Sequence, residues 1–517
     1  MENTNLPFEV PDQEPKPGPR APRAQRFPTG GRELAYGGVI LILSVLLCNC
    51  VIFGGFNLGF AGLTLACIAA TAVYLWRSGR KFSGYPAALL ILSAVTAASF
   101  IRSNDYFVKF VMLCFLLVSV NLALAIAAGQ NRRSPNGAGS LLDAPRVLFI
   151  LGVGRLEESF RGLVDGLKSM SRRSRTGGAV LLGLLIAVPI LAVMIPLLMS
   201  ADAAFEGLID LLPDFEITEL LVSVVFGAML AAWMYTRGTA LVHAEREEPA
   251  AKAPRGLNQI TVITVMGAVC LLYTVYLFSQ LAYFSGGFSG ILPDGYSAAQ
   301  YARRGFFEMA WLCAIDLGLI ALAIGLVKTE GKAPLALRLE CLFIGLITLF
   351  FVVSASAKMF LYIDTYGLTR LRVLTEVIMV FLGLTTGLVC VWLFQPKLPY
   401  MKAVLIAGLV MGAAVAWVDV DTVVAAYNVH AYQSGKLETV DVYYLSTLSD
   451  GAVPYLQELT NDADPAVARQ AKNFLSSRGS EQNDLRSWTI AGAQARKILE
   501  QYNVESDNPY PENSAVY

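Results

Sequence analysis

Residues 306–327 read FFEMAWLCAIDLGLIALAIGLV, an apolar run broken only by Glu308 near its start and Asp316 near its middle. A helix crosses about 30 Å of hydrocarbon with roughly 20 apolar residues, so this stretch has the length and character of a membrane span. A charge at mid-bilayer costs about 2.5–3.5 kcal/mol, while each Leu, Ile, Phe or Val returns about 0.3–0.6 kcal/mol. The run holds enough of them to carry Asp316 and still insert.

Ten further runs have the same character: residues 34–53, 57–76, 84–101, 106–128, 178–200, 217–236, 260–284, 335–361, 371–394 and 400–420. The fold class that follows is all-α, a polytopic transmembrane bundle of about eleven spans with a small helical extracytoplasmic C-terminal region. Composition agrees, since 55% of the 517 residues are apolar and 15% are charged, against about 25% charged in soluble domains. The net charge is zero, so no global field favours nucleic acid. All eight cysteines lie inside apolar runs and read as small buried hydrophobes rather than disulfide or metal ligands.

Lysine and arginine collect in alternate loops: the leader (Lys16 to Arg32), residues 77–81, 129–177, 237–255, 328–338 and 397–402. The positive-inside rule then predicts a cytoplasmic N-terminus and, with an odd number of spans, an external C-terminus. The chain divides into a disordered, Pro/Arg-rich leader (1–33), four N-terminal spans (34–128), a basic linker (129–177), a seven-helix domain (178–420) and a helical tail (421–517). No cleavable signal peptide is expected. In the tail, Asp464-Pro465 marks a helix start, and a small cap packed on the bundle is expected.

Within the linker, residues 156–170 place Leu156, Phe160, Leu163, Val164, Leu167 and Met170 on one helical face. Arg172, Arg173 and Arg175 follow. The helix suits either the anionic cytoplasmic leaflet, each base contributing about 1 kcal/mol, or a dock on its own bundle. Lipid is thus the expected partner, with a candidate anionic-lipid site at the three arginines.

Ionisable groups near the spans form the candidate site. Asp316, Glu308, Lys358 and Glu376 make an intramembrane polar set, with Lys358 the natural partner of a carboxylate. Arg303, Arg304, Asp364, Arg370 and Arg372 make a candidate outer vestibule. Arg304–Glu308 and Arg372–Glu376 are four apart and can pair on one helix face. No catalytic residue, cofactor or metal is assigned. The Gly287-Phe288-Ser289-Gly290 match to intramembrane serine proteases lacks a histidine base within a span. The H-E-x-x-H and Walker A patterns are absent.

Three stretches carry a resemblance: YARRGFFE at 301–308, YIDTYGLTRLR at 362–372, and DTVVAAYN at 421–428 followed by DVYYL at 441–445 and AVP at 452–454. Together they resemble a bacterial family of polytopic membrane proteins known as domain of unknown function 4173. The likeness spans roughly residues 180–460. It implies a bacterial cell-membrane location and no established activity. The function expected is non-catalytic and transport-like or translocation-related. An envelope scaffold or sensor, binding an envelope partner through its tail, is one alternative; an enzyme acting on lipid-linked substrates is another.

Overall fold

A computed structural model describes residues 27–173, 217–245, 256–287, 306–328, 333–478 and 485–506, with isolated helical positions between 183 and 198. Among these residues nine helices are long and apolar enough to cross a membrane: α1 (Gly31–Gly54), α2 (Leu58–Arg77), α4 (Tyr106–Ala128), α6 (Ile217–His243), α7 (Gln259–Gly287), α8 (Phe306–Leu326), α9 (Leu335–Tyr366), α10 (Arg370–Phe394) and α11 (Tyr400–Val418). The expected span at 84–101 is the shorter α3 (Tyr85–Ala98), extended by a 3-10 turn at Ser99–Ile101. The expected span at 178–200 lies largely outside the described residues.

Local chemistry sets the helix ends. Asp105 caps α4 by accepting from the amides of Phe107 and Val108, and Gly129 closes it in the left-handed region at φ 71°. Gly has no Cβ to clash there. Thr369 caps α10.

The spans pack into two groups. Helices α1, α2, α4 and α6 share one core, in which the rings of Tyr36 and Tyr74 stack at 4.3 Å. Helices α7–α10 share a second, with Tyr273 meeting Phe351 edge-on at 5.7 Å. In the first group α6 lies so close to α1 that a Cβ on Gly227 would sit 2.5 Å from Val45 Cα. Small residues at such crossings let helices approach and gain dispersion contacts that lipid does not compete away. Helix α11 packs against α3, α4 and α10, and so touches both groups.

After α11 the chain turns at Asp419, whose φ of 62° is unusual for a residue with a Cβ. It enters α12 (Val420–Gln433) and a set of short helices, then α13 (Pro465–Ser477) and α14 (Ile490–Ser506). Asp464 accepts from the Ala466 amide at 2.8 Å, the N-cap expected from its proline. These helices have their own core of Val424, Val429, Leu445, Leu456, Leu475 and Leu499. The tail caps one end of the bundle: the Leu58 amide donates to Trp488 O, the Ala491 amide to Arg102 O, and Arg486 to Glu219 at 2.6 Å. The first residues of α1 lie at the opposite end, where Glu33 meets His243.

There, α5 (Leu156–Arg173) packs on α6 through Ser159, which is 3.2 Å from Thr239 Oγ1, and through Leu163. Gly162 lies against the Phe27 carbonyl, where a Cβ would come within 2.6 Å. The helix is docked, yet Phe160 stays 63% exposed. Leu156, Phe160, Leu163, Ala232 and Tyr235 line a groove of about 320 Å³ between the two helices.

Candidate functional site

Asp316 sits mid-way along α8 with no exposed surface. Its Oδ1 accepts from the Tyr273 hydroxyl of α7 at 2.6 Å, and its Oδ2 from the Thr348 hydroxyl of α9 at 2.9 Å. One carboxyl group thus ties three helices; the Thr348 hydroxyl also lies 2.9 Å from the Ile344 carbonyl, and its single proton serves one of the two acceptors. Lys358 stands ten residues beyond Thr348, about 15 Å along α9 at 1.5 Å per residue. It is not the partner of Asp316; it lies within electrostatic range of Glu308 instead. Glu376 on α10 accepts from Ser356 of α9, while its Oε1 is buried without a hydrogen bond. The four intramembrane candidates therefore form two levels, Asp316 deep and the other three towards the tail end.

The expected vestibule separates into distinct jobs. Arg303 and Arg304 lie outside the described residues, and with them the Arg304–Glu308 pair. Arg175 is also outside them; Arg172 and Arg173 fall in the last turn of α5. Arg372 does not pair with Glu376. It reaches backwards, donating to the Gly367 and Tyr366 carbonyls and lying 4.2 Å from the centre of the Tyr362 ring. It caps the C-terminus of α9, where free carbonyls and the helix dipole favour a cation. Asp364 pairs with Lys436 of the tail at 2.7 Å, both exposed.

Arg370 makes the densest junction. Its Nε donates to Asp421 Oδ1 at 2.7 Å and its Nη2 to Asp421 Oδ2 at 2.5 Å, a bidentate pair. Asp105 Oδ2 lies 3.3 Å from the same Nε. The Arg370 amide donates to the Tyr444 hydroxyl at 2.9 Å, and Asp421 Oδ2 also accepts from the Ser449 amide. Beside it, Asn428 accepts from the Leu368 amide and donates to the Leu368 carbonyl. One guanidinium thereby joins the second helix group (Arg370), the first (Asp105) and the tail (Asp421).

Burial, then the Asp421 charge, raise the Asp105 carboxyl above its usual value; the Val108 amide and Arg370 pull the other way. Burial raises Asp419 likewise, offset by the Thr422 hydroxyl that donates to it at 2.7 Å. Among the described residues no group of three His, Cys, Asp or Glu could hold a metal ion.

Sequence reading passed over Asp105, Asp421 and Asn428 as site residues, although the last two fall in a quoted motif. The signal was in the motifs themselves. The stretches at 362–372, 421–428 and 441–445 all meet at Arg370. It also placed Arg237 in a basic loop. Helix α6 instead runs on to His243, and Arg237 is 5% exposed inside the first group.

A family model described as "Domain of unknown function (DUF4153)" matches residues 41–459. The number 4173 given to the resemblance is thereby corrected to 4153, and its reach extends to the N-terminal spans. No curated protein and no solved structure matches the chain.

Proposed function

The chain belongs to the DUF4153 family of unknown function, and from that premise we propose that it is a non-catalytic, transport-like protein of the bacterial cell membrane. In this reading the tail is external and the opposite end cytoplasmic. Arg32, Arg77, Arg80, Arg146 and Arg155 all lie at or near the end opposite the tail, which the positive-inside rule assigns to the cytoplasm.

The observation that carries the reading is the division of the spans into two groups that share α11 and are pinned at the tail end by Arg370. Two rigid groups with a narrow shared element are the parts from which rocking motions are built. Asp316 supplies an ionisable group in the interior of one of them. Catalysis is disfavoured because the converging carboxylates, Asp105 and Asp421, are occupied by an arginine and lie under the tail.

The test is a spin-label distance measurement in proteoliposomes, with labels at Arg77 and Lys328 and the native cysteines replaced. Transport-like motion gives two distance populations, redistributed by R370A. One narrow population, unchanged by R370A, sinks the reading. A scaffold role is favoured by one feature, Tyr443 standing 70% exposed on the tail. It predicts that removing residues 434–517 harms function more than Asp316→Asn.

A further inference from the structure

Asp316 is a buried carboxyl with hydroxyl partners; Arg237 is a buried guanidinium with an unpaired donor. The residue is 5% exposed within the core of α1, α2, α4 and α6. It donates once, from Nη1 to Asn121 Oδ1 at 3.0 Å, and lies 4.8 Å from the centre of the Trp233 ring. Its Nε is buried with no acceptor. Among the described residues no carboxylate pairs with it: Glu33, the buried acid of this group, is engaged by His243 and the Gly30 amide.

The hydroxyls nearest Arg237 are already engaged with one another and with backbone carbonyls. The Tyr36 hydroxyl is within electrostatic range of Arg237 and shares a 3.2 Å hydrogen bond with Thr71. A buried cation without a counter-charge is strongly unfavourable, and a ring face offsets only part of that. Ionisable groups are kept inside membrane bundles where they serve ligands or pathways.

We propose that Arg237, through the buried Nε that has no acceptor, binds a small oxyanion — a carboxylate or a phosphate group — within the first helix group. Guanidinium presents parallel donors that fit either oxyanion. Arg237 is six residues from the end of α6, about 9 Å, so the anion enters from the end opposite the tail. Asn121 holds the guanidinium in place, and Trp233 forms the other wall. The inference goes beyond the transport-like reading, because an anion can bind whether or not the two groups move.

The experiment uses the full chain in detergent. Thermal stability is followed against inorganic phosphate, acetate and short-chain phosphatidylglycerol, each compared with chloride at equal ionic strength. A saturable rise in melting temperature is expected with at least one oxyanion. R237Q abolishes the saturable rise, and R237K weakens it at least tenfold in half-saturation. A response to phosphatidylglycerol alone assigns the anion to a lipid headgroup; a response to phosphate or acetate assigns it to a free solute. Absence of any saturable rise in the parent overturns the proposal. So does an unchanged half-saturation in both R237Q and R237K. Neither result bears on the spin-label distances.

Discussion

At the residue scale, the two deep charges differ in what their neighbours supply. Asp316 accepts from the Tyr273 hydroxyl, and the Thr348 hydroxyl is shared between it and the Ile344 carbonyl, so removing the carboxyl strands the Tyr273 hydroxyl. Asp316→Leu is expected to destabilise the bundle by about 1–3 kcal/mol, the cost of buried donors left unmade. Asp316→Asn keeps an acceptor and should lose less. Unfolding of both variants in mixed micelles checks this; a leucine variant as stable as the parent would mean that Tyr273 finds an acceptor elsewhere. Asp421 is fully buried, whereas Arg370 is about one-third exposed. Solvent screening therefore reduces the usual buried-pair penalty, and Asp421→Ala should cost about 1–3 kcal/mol of tail docking. Faster proteolytic release of the tail, with the spans intact, is the expected readout.

At the element scale, sequence and structure agree where a helix's own residues decide it. The apolar runs, the Asp464 cap and the amphipathic α5 were all legible, because burial pattern and capping act within one helix. Arg237 departs from the loop that its charge suggests, because a helix in a bundle can extend a cation into its neighbours' polar side chains. The Arg372–Glu376 pair failed for a related reason. Spacing on one face permits a pair, but the unsatisfied carbonyls at the end of α9 are stronger partners. Gly227 shows what element packing demands. Gly227→Val would force α6 away from the Val45 backbone, with an expected loss of about 1–3 kcal/mol from overpacking. Thermal melting in detergent tests it, and Gly183→Val, with open space around its Cβ, serves as the control.

At the scale of the whole molecule, the tail's attachment should respond to pH. Burial raises Asp105 and Asp419 above the usual carboxylate value near 3.8. When the tail lifts, water returns to both and they revert to ordinary values. Between the ordinary and raised values the docked state binds more protons than the undocked one, so docking weakens as pH rises through that window. The expected result is stronger hydrogen-exchange protection of residues 442–477 in mild acid than at neutrality, after correction for intrinsic rates. Protection that rises steadily with pH would contradict it.

The sequence by itself determined that the chain is helical, that it threads a bilayer many times, and which loops carry the positive charge. Those properties are local: each span's transfer to hydrocarbon depends on its own side chains and length. Only the tertiary structure decided that the spans gather as two groups, that α6 joins the N-terminal one, and that three distant motifs meet at Arg370. Apolar surfaces look alike to any helix-forming run, so the sequence pattern is silent on which pairs with which. Shape complementarity at crossings such as Gly227–Val45, and the need of each buried polar group for a partner, select the arrangement.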